Sequence, residues 1–80
     1  MGSLIGGAAK MSDRRVKENI RHIRDVDGIR VYSFNYVWDK TPTQGAMAQD
    51  LLADARYADA VSVHESGFYQ VDYAKLPVLH

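Results

Sequence analysis

Few residues in this 80-residue chain have side chains and spacings suited to chemistry. There is no cysteine, which excludes disulfides and thiolate metal sites and leaves the redox compartment open. The three histidines, His22, His64 and His80, are scattered and make no metal-ligand spacing. His64 stands beside Glu65, but in a stretch that reads as a turn and with no third partner, so it reads as surface. Arg14, Lys17, Arg21 and Arg24 recur at i, i+3, i+7 and i+10, which on a helix makes one basic stripe. A phosphate-binding face is one reading of it. Asp13, Glu18, Asp25 and Asp27 lie among these cations, and a balanced, solvated face is the favoured one. Tyr32, Phe34, Tyr36 and Trp38 alternate along a strand-like stretch; such a row is more often core or subunit interface than a sugar platform.

The elements that must position these residues can be read from pattern. Residues 1–11 are small and apolar, with glycines that weaken a helix, and read as a leader ahead of a domain at 12–80. Ser12 and Asp13 are both able to cap a helix N-terminus. Val16, Ile20 and Ile23 follow at i, i+4 and i+7, which predicts a first helix that ends at Asp27-Gly28. From Ile29 to Trp38 the period becomes two, with aromatics on one face and Val31, Ser33, Asn35 and Val37 on the other, and predicts a strand. Residues 39–43 read as a loop and 44–48 as a short strand. Met47, Leu51, Leu52 and Ala55 share the face of a second helix. Residues 60–63 and 68–71 predict a hairpin turned by Glu65-Ser66-Gly67, and Asp72 caps one last turn before Pro77. The fold class expected is α+β: a small single domain with short helices, an aromatic strand and a C-terminal β-hairpin.

Size limits how such a domain is held together. A chain this short buries roughly 60% of the surface its unfolded form exposes, so support from an oligomer is expected where disulfides and metal are absent. Lys+Arg equals Asp+Glu, so net charge drives the chain toward neither nucleic acid nor membrane. The longest apolar run is too short to span a bilayer, and the N-terminus lacks the basic region of a signal peptide. Nothing in the sequence sends the protein out of the cytoplasm in which it is made, and that is its expected place of assembly.

Four stretches, in order, carry a resemblance. Ser12-Asp13-Arg14-Arg15-Val16-Lys17-Glu18-Asn19-Ile20 is followed by Tyr32-Ser33-Phe34-Asn35-Tyr36, then by Gly45-Ala46-Met47-Ala48-Gln49-Asp50, then by Val71-Asp72-Tyr73-Ala74-Lys75-Leu76. They resemble the endosialidase-type intramolecular chaperone, a self-cleaving serine peptidase family at the C-termini of phage tail fibres and tailspikes. The resemblance covers residues 12–76; at Ala58-Asp59 this chain has alanine where the family usually has proline. It implies a homotrimer, partnership with other phage tail or virion proteins, a place in the virion tail, and no metal or cofactor.

The resemblance also implies roles. Ser12 would be the nucleophile and Lys17 the general base of a serine–lysine dyad that cuts the bond between Met11 and Ser12. A hydroxyl needs a base to take its proton, and a lysine serves only when burial brings its pKa toward the working pH. A trimer interface is one source of that burial. On a continuous helix the two side chains would point about 140° apart, since each residue turns about 100°. They meet only if Ser12 lies in a non-helical lead-in, or if they come from different chains. Two functions stay open: a self-cutting, trimerising chaperone module, or a structural tail or fibre component that keeps the fold without cutting.

Overall fold

Asp27 and Gly28 both have positive φ, 50° and 82°, at the centre of a two-residue turn that sets Val26 opposite Ile29. Turns of this hand match the twist of the flanking strands and join them tightly. The computed structural model, which describes residues 9–79, accordingly has a long hairpin where a first helix was expected. Strand β1 is Lys10–Met11, β2 is Lys17–Val26 and β3 is Ile29–Tyr36. Strand β4 is Asp39–Gly45, helix α1 is Ala48–Leu52, and β5 (Val61–Val63) and β6 (Tyr69–Val71) follow. The strands form two antiparallel three-stranded sheets, ordered β2-β3-β4 and β1-β6-β5. The molecule is a small compact domain, mostly β, with one short α-helix among the described residues.

The helix expected from Ser12 to Asp27 is corrected to a single 3₁₀ turn, Arg14–Val16, followed by β2. Its capping signal is real: the Asp13 side chain accepts the Arg15 N–H. The apolar spacing misleads because β2 carries register shifts between Glu18 and Arg21 and between His22 and Arg24. Each extra residue switches the strand's facing. Ile20 therefore packs toward Tyr32, Phe34 and Met47, while Ile23 and Val26 pack toward Ile29 and Val31. A helical-looking stripe is divided between two faces of a bulged strand. The basic stripe disappears with the helix: Lys17 is buried, and Arg24 reaches the Leu79 carbonyl and Gln44.

Other elements follow expectation in part. The aromatic strand ends at Tyr36, Val37-Trp38 form the turn into β4, and residues 39–43, expected as a loop, are strand paired to β3. Trp38 is 60% exposed, its ring stacked on Tyr36 with centroids 4.9 Å apart. The second helix is shorter than its apolar pattern, and β5 and β6 pair as the expected hairpin. Asp72 caps the final turn by accepting the Ala74 N–H. The main core, including Ile29, Val31, Leu51, Ala60 and Val71, lies among β3, α1 and the β5–β6 hairpin.

Candidate active site

The fold brings the two sheets together at residues 11–17. Ser12 follows β1, and its N–H donates to the Tyr69 carbonyl at 3.1 Å while its carbonyl accepts the Ala48 N–H at 2.9 Å. Its position is fixed through both backbone groups. Lys17 opens β2 directly opposite Tyr36 on β3, so the two side chains project from the same face of that sheet. The 3₁₀ turn Arg14–Val16 lies between Ser12 and Lys17, and across it the Lys17 side chain reaches Ser12.

Lys17 Nζ lies 3.0 Å from Ser12 Oγ and donates to the Ala46 carbonyl at 2.7 Å. Ser12 Oγ donates to the same carbonyl at 2.8 Å. The Tyr73 hydroxyl stands 3.4 Å from Ser12 Oγ and accepts the Ala46 N–H at 3.2 Å. Ser12 is wholly buried and Lys17 is 6% exposed within the single chain. Burial pushes the Lys17 ammonium down to about 7; the positive Arg14 nearby adds to this, and Asp13 and Asp50 oppose it. The Nζ also sits 4.1 Å from the Phe34 ring centroid. The pair is thus a hydroxyl in contact with an amine that loses its proton near neutral pH. Both members come from one chain, with Ser12 in the non-helical lead-in.

Asp13 holds this lead-in in place. It is fully buried, and its carboxylate accepts from the Arg15 backbone and guanidinium, from Gln49 Nε2 and from the Tyr69 N–H. The Arg15 contact, with these N–H donors, holds its carboxyl well below the usual range despite burial. Through it the residues after Ser12 are tied to α1 and β6.

Met11, the residue before the expected scissile bond, is positioned by ladder alternation. Hydrogen-bonded and non-hydrogen-bonded pairs alternate between antiparallel strands. Ser12 bonds Tyr69, so Met11, opposite Gln70, has its backbone polar groups turned away from β6. Its carbonyl instead accepts the Tyr36 hydroxyl at 2.7 Å. Burial, with Tyr73 nearby, pushes the Tyr36 hydroxyl up to about 12. A cavity of about 690 Å³ opens beside Met11, Tyr36, Trp38, Gly45 and Tyr73.

Ser12, Lys17 and Met11, the residues expected from the sequence, lie together in the structure. Tyr36, Tyr73 and the Ala46 carbonyl are site groups that the sequence does not single out. Tyr36 and Tyr73 stand in the stretches that carry the family resemblance, but only register reveals what their hydroxyls reach. His22 contacts Asp25 at 2.7 Å on the surface, and His64 contacts Ser66 rather than Glu65. His80 lies outside the described residues. No group of three or more His, Cys, Asp or Glu suited to a metal occurs among the described residues.

Comparison with known families supplies the remaining observation. The sequence profile of the family described as the chaperone of endosialidase matches residues 12–62, which is more than half of the chain. The chain belongs to the chaperone of endosialidase family. No curated protein and no solved structure matches it. Membership carries a chaperone role in phage tail fibres and association with the virion. The matched span begins at Ser12 and includes Lys17, Tyr36 and Ala46, and it ends within β5, before Tyr69 and Tyr73. No helix among the described residues is long and apolar enough to cross a membrane.

Proposed function

We propose that this domain is a trimerising chaperone module of a phage tail fibre or tailspike that cuts its own chain once, between Met11 and Ser12. The observation that carries the reading is the contact of Lys17 Nζ with Ser12 Oγ at 3.0 Å inside a buried pocket. In the reacting state Lys17 is neutral, and the Ser12 hydroxyl turns from the Ala46 carbonyl to donate to Nζ. Lys17 takes the proton as Oγ attacks the Met11 carbonyl carbon. The resulting Lys17 ammonium returns the proton to the Ser12 nitrogen as the C–N bond breaks. This leaves Met11 esterified to Ser12 Oγ and a free Ser12 amine. Water arriving from the cavity beside Met11 hydrolyses the ester to a Met11 carboxylate and the free hydroxyl.

Burial of Lys17 is supplied by its own chain, so cutting follows folding of the chain and does not wait for desolvation at a subunit interface. The trimer serves the chaperone role, joining this domain to other tail or virion proteins. Intact mass of the purified protein tests the reading. Wild-type protein should separate on denaturation into residues 1–11 and 12–80. Ser12→Ala, which removes the nucleophile, and Lys17→Arg, which replaces the base with a group that stays charged, should both remain whole. A folded wild-type chain that stays whole after long incubation favours the structural tail component that keeps the fold without cutting.

A further inference from the structure

Ser12 and Lys17 account for a nucleophile and a base, but the carbonyl that Ser12 attacks also needs a partner for the charge it develops. Attack converts the Met11 carbonyl oxygen to an oxyanion, and hydrogen-bond donors already aimed at such an oxygen supply much of the stabilisation in acyl transfer. The Met11 carbonyl is turned away from β6, and the hydroxyl it meets is that of Tyr36 at 2.7 Å. We infer that Tyr36 is a third catalytic residue, the electrophilic donor that polarises the Met11 carbonyl and stabilises the oxyanion formed when Ser12 attacks.

Three features of the structure support this role. First, Tyr36 is the cross-strand partner of Lys17, so one register pair of the β2–β3 hairpin presents the base and the oxyanion donor on the same face. Second, the ring is fixed: it stands edge-on to Phe34 with centroids 5.4 Å apart, and Trp38 stacks on it with an interplanar angle of 7°. A donor held by packing needs little reorganisation when charge appears. Third, burial keeps the phenol protonated across the range in which Lys17 becomes neutral, so donor and base are competent together. The bond from Tyr36 strengthens as its acceptor goes from a neutral carbonyl to an oxyanion, since charge-assisted hydrogen bonds are about twice as strong as neutral ones. That difference is what accelerates a step rather than merely holding its ground state.

The assignment rests on the self-cutting reading, and the test separates the two. Rates of cleavage are followed by intact mass after refolding, for wild type and Tyr36→Phe, across pH 5 to about 9. Tyr36→Phe keeps the ring and its stacking but removes the donor. It should fold with an unchanged circular dichroism spectrum and cut about 10²- to 10³-fold more slowly at every pH, as for loss of a single oxyanion donor. Its rate should still rise through the same apparent pKa, because Lys17 is untouched. A folded Tyr36→Phe protein that cuts within about threefold of the wild-type rate, well short of the loss of an oxyanion donor, overturns the Tyr36 assignment and leaves the dyad standing. A wild-type chain that never cuts overturns both. Should Tyr36→Phe fail to fold, fluorotyrosine placed at position 36 by stop-codon suppression keeps the shape and makes the hydroxyl more acidic. Faster cutting at neutral pH then supports the assignment, and an unchanged rate overturns it.

Discussion

At Lys17 two effects oppose each other. Hydrogen bonds to Ser12 Oγ and the Ala46 carbonyl, together with the face of Phe34, favour the ammonium form. Burial disfavours it and wins, bringing the pKa to about 7 from the lysine's ordinary 10.5. The sign of the effect on stability follows. Above about 7 the unfolded chain keeps a proton at this lysine that the folded chain has lost, so stability rises with pH from there toward the unfolded value. Below about 7 the full penalty of a buried ammonium is present. Lys17→Met, similar in length and uncharged, should therefore be more stable than wild type at pH 6, by on the order of a few kcal/mol. The advantage should shrink as pH approaches 10. Urea denaturation at the two pH values checks this, and a difference independent of pH would mean that Lys17 is not perturbed. Ser12 and Lys17 were legible in the sequence because their motif is local. Tyr36 was not, because its role depends on the strand pairings that aim its hydroxyl at Met11.

The β2–β3 hairpin is the element on which the site depends, because its register sets Lys17 opposite Tyr36. A slip of one residue would turn one of them to the other face. Asp27-Gly28 holds that register, and Gly28, at φ 82°, adopts a backbone conformation that a side chain disfavours. A Cβ there would also meet Arg56 Nη2 at 2.5 Å, though that flexible side chain can move aside. Gly28→Ala should cost about 1–2 kcal/mol from the backbone alone and lower the melting temperature by several degrees. Thermal unfolding measures it, and an unchanged melting temperature would show that the turn is not the constraint. Asp27-Gly28 is legible in the sequence as the end of a helix that opens a turn, although the same pair between apolar residues is also a hairpin signal. The i, i+4, i+7 spacing of Val16, Ile20 and Ile23 imitates a helix, because bulges are not visible in a hydrophobic pattern. The C-terminal hairpin and the cap at Asp72 were legible, since both rest on short-range turn chemistry.

As a whole, the molecule is two small sheets joined through buried polar residues as well as through the core. Asp13 and Ser12 link β1, β6 and α1, while Tyr36 bonds across from one sheet to the other. That the domain is single was legible from its length, but this stitching was not, since it unites residues far apart in sequence. A domain of this size has little stability to spare, and association is the expected reinforcement. Light scattering at micromolar concentration should give about three times the monomer mass. A monomer that unfolds cooperatively would remove trimerisation from the account and leave the cutting chemistry intact. The measurement that tests the central claim most directly is the rate at which the Ser12 N-terminus appears, followed by mass as a function of pH. Wild-type protein should cut about tenfold faster per pH unit below about 7 and level off above it, as one lysine loses its proton, while Lys17→Arg stays whole. A Lys17→Arg protein that cuts as fast as wild type, or a folded wild-type chain still whole at pH 8, would contradict it.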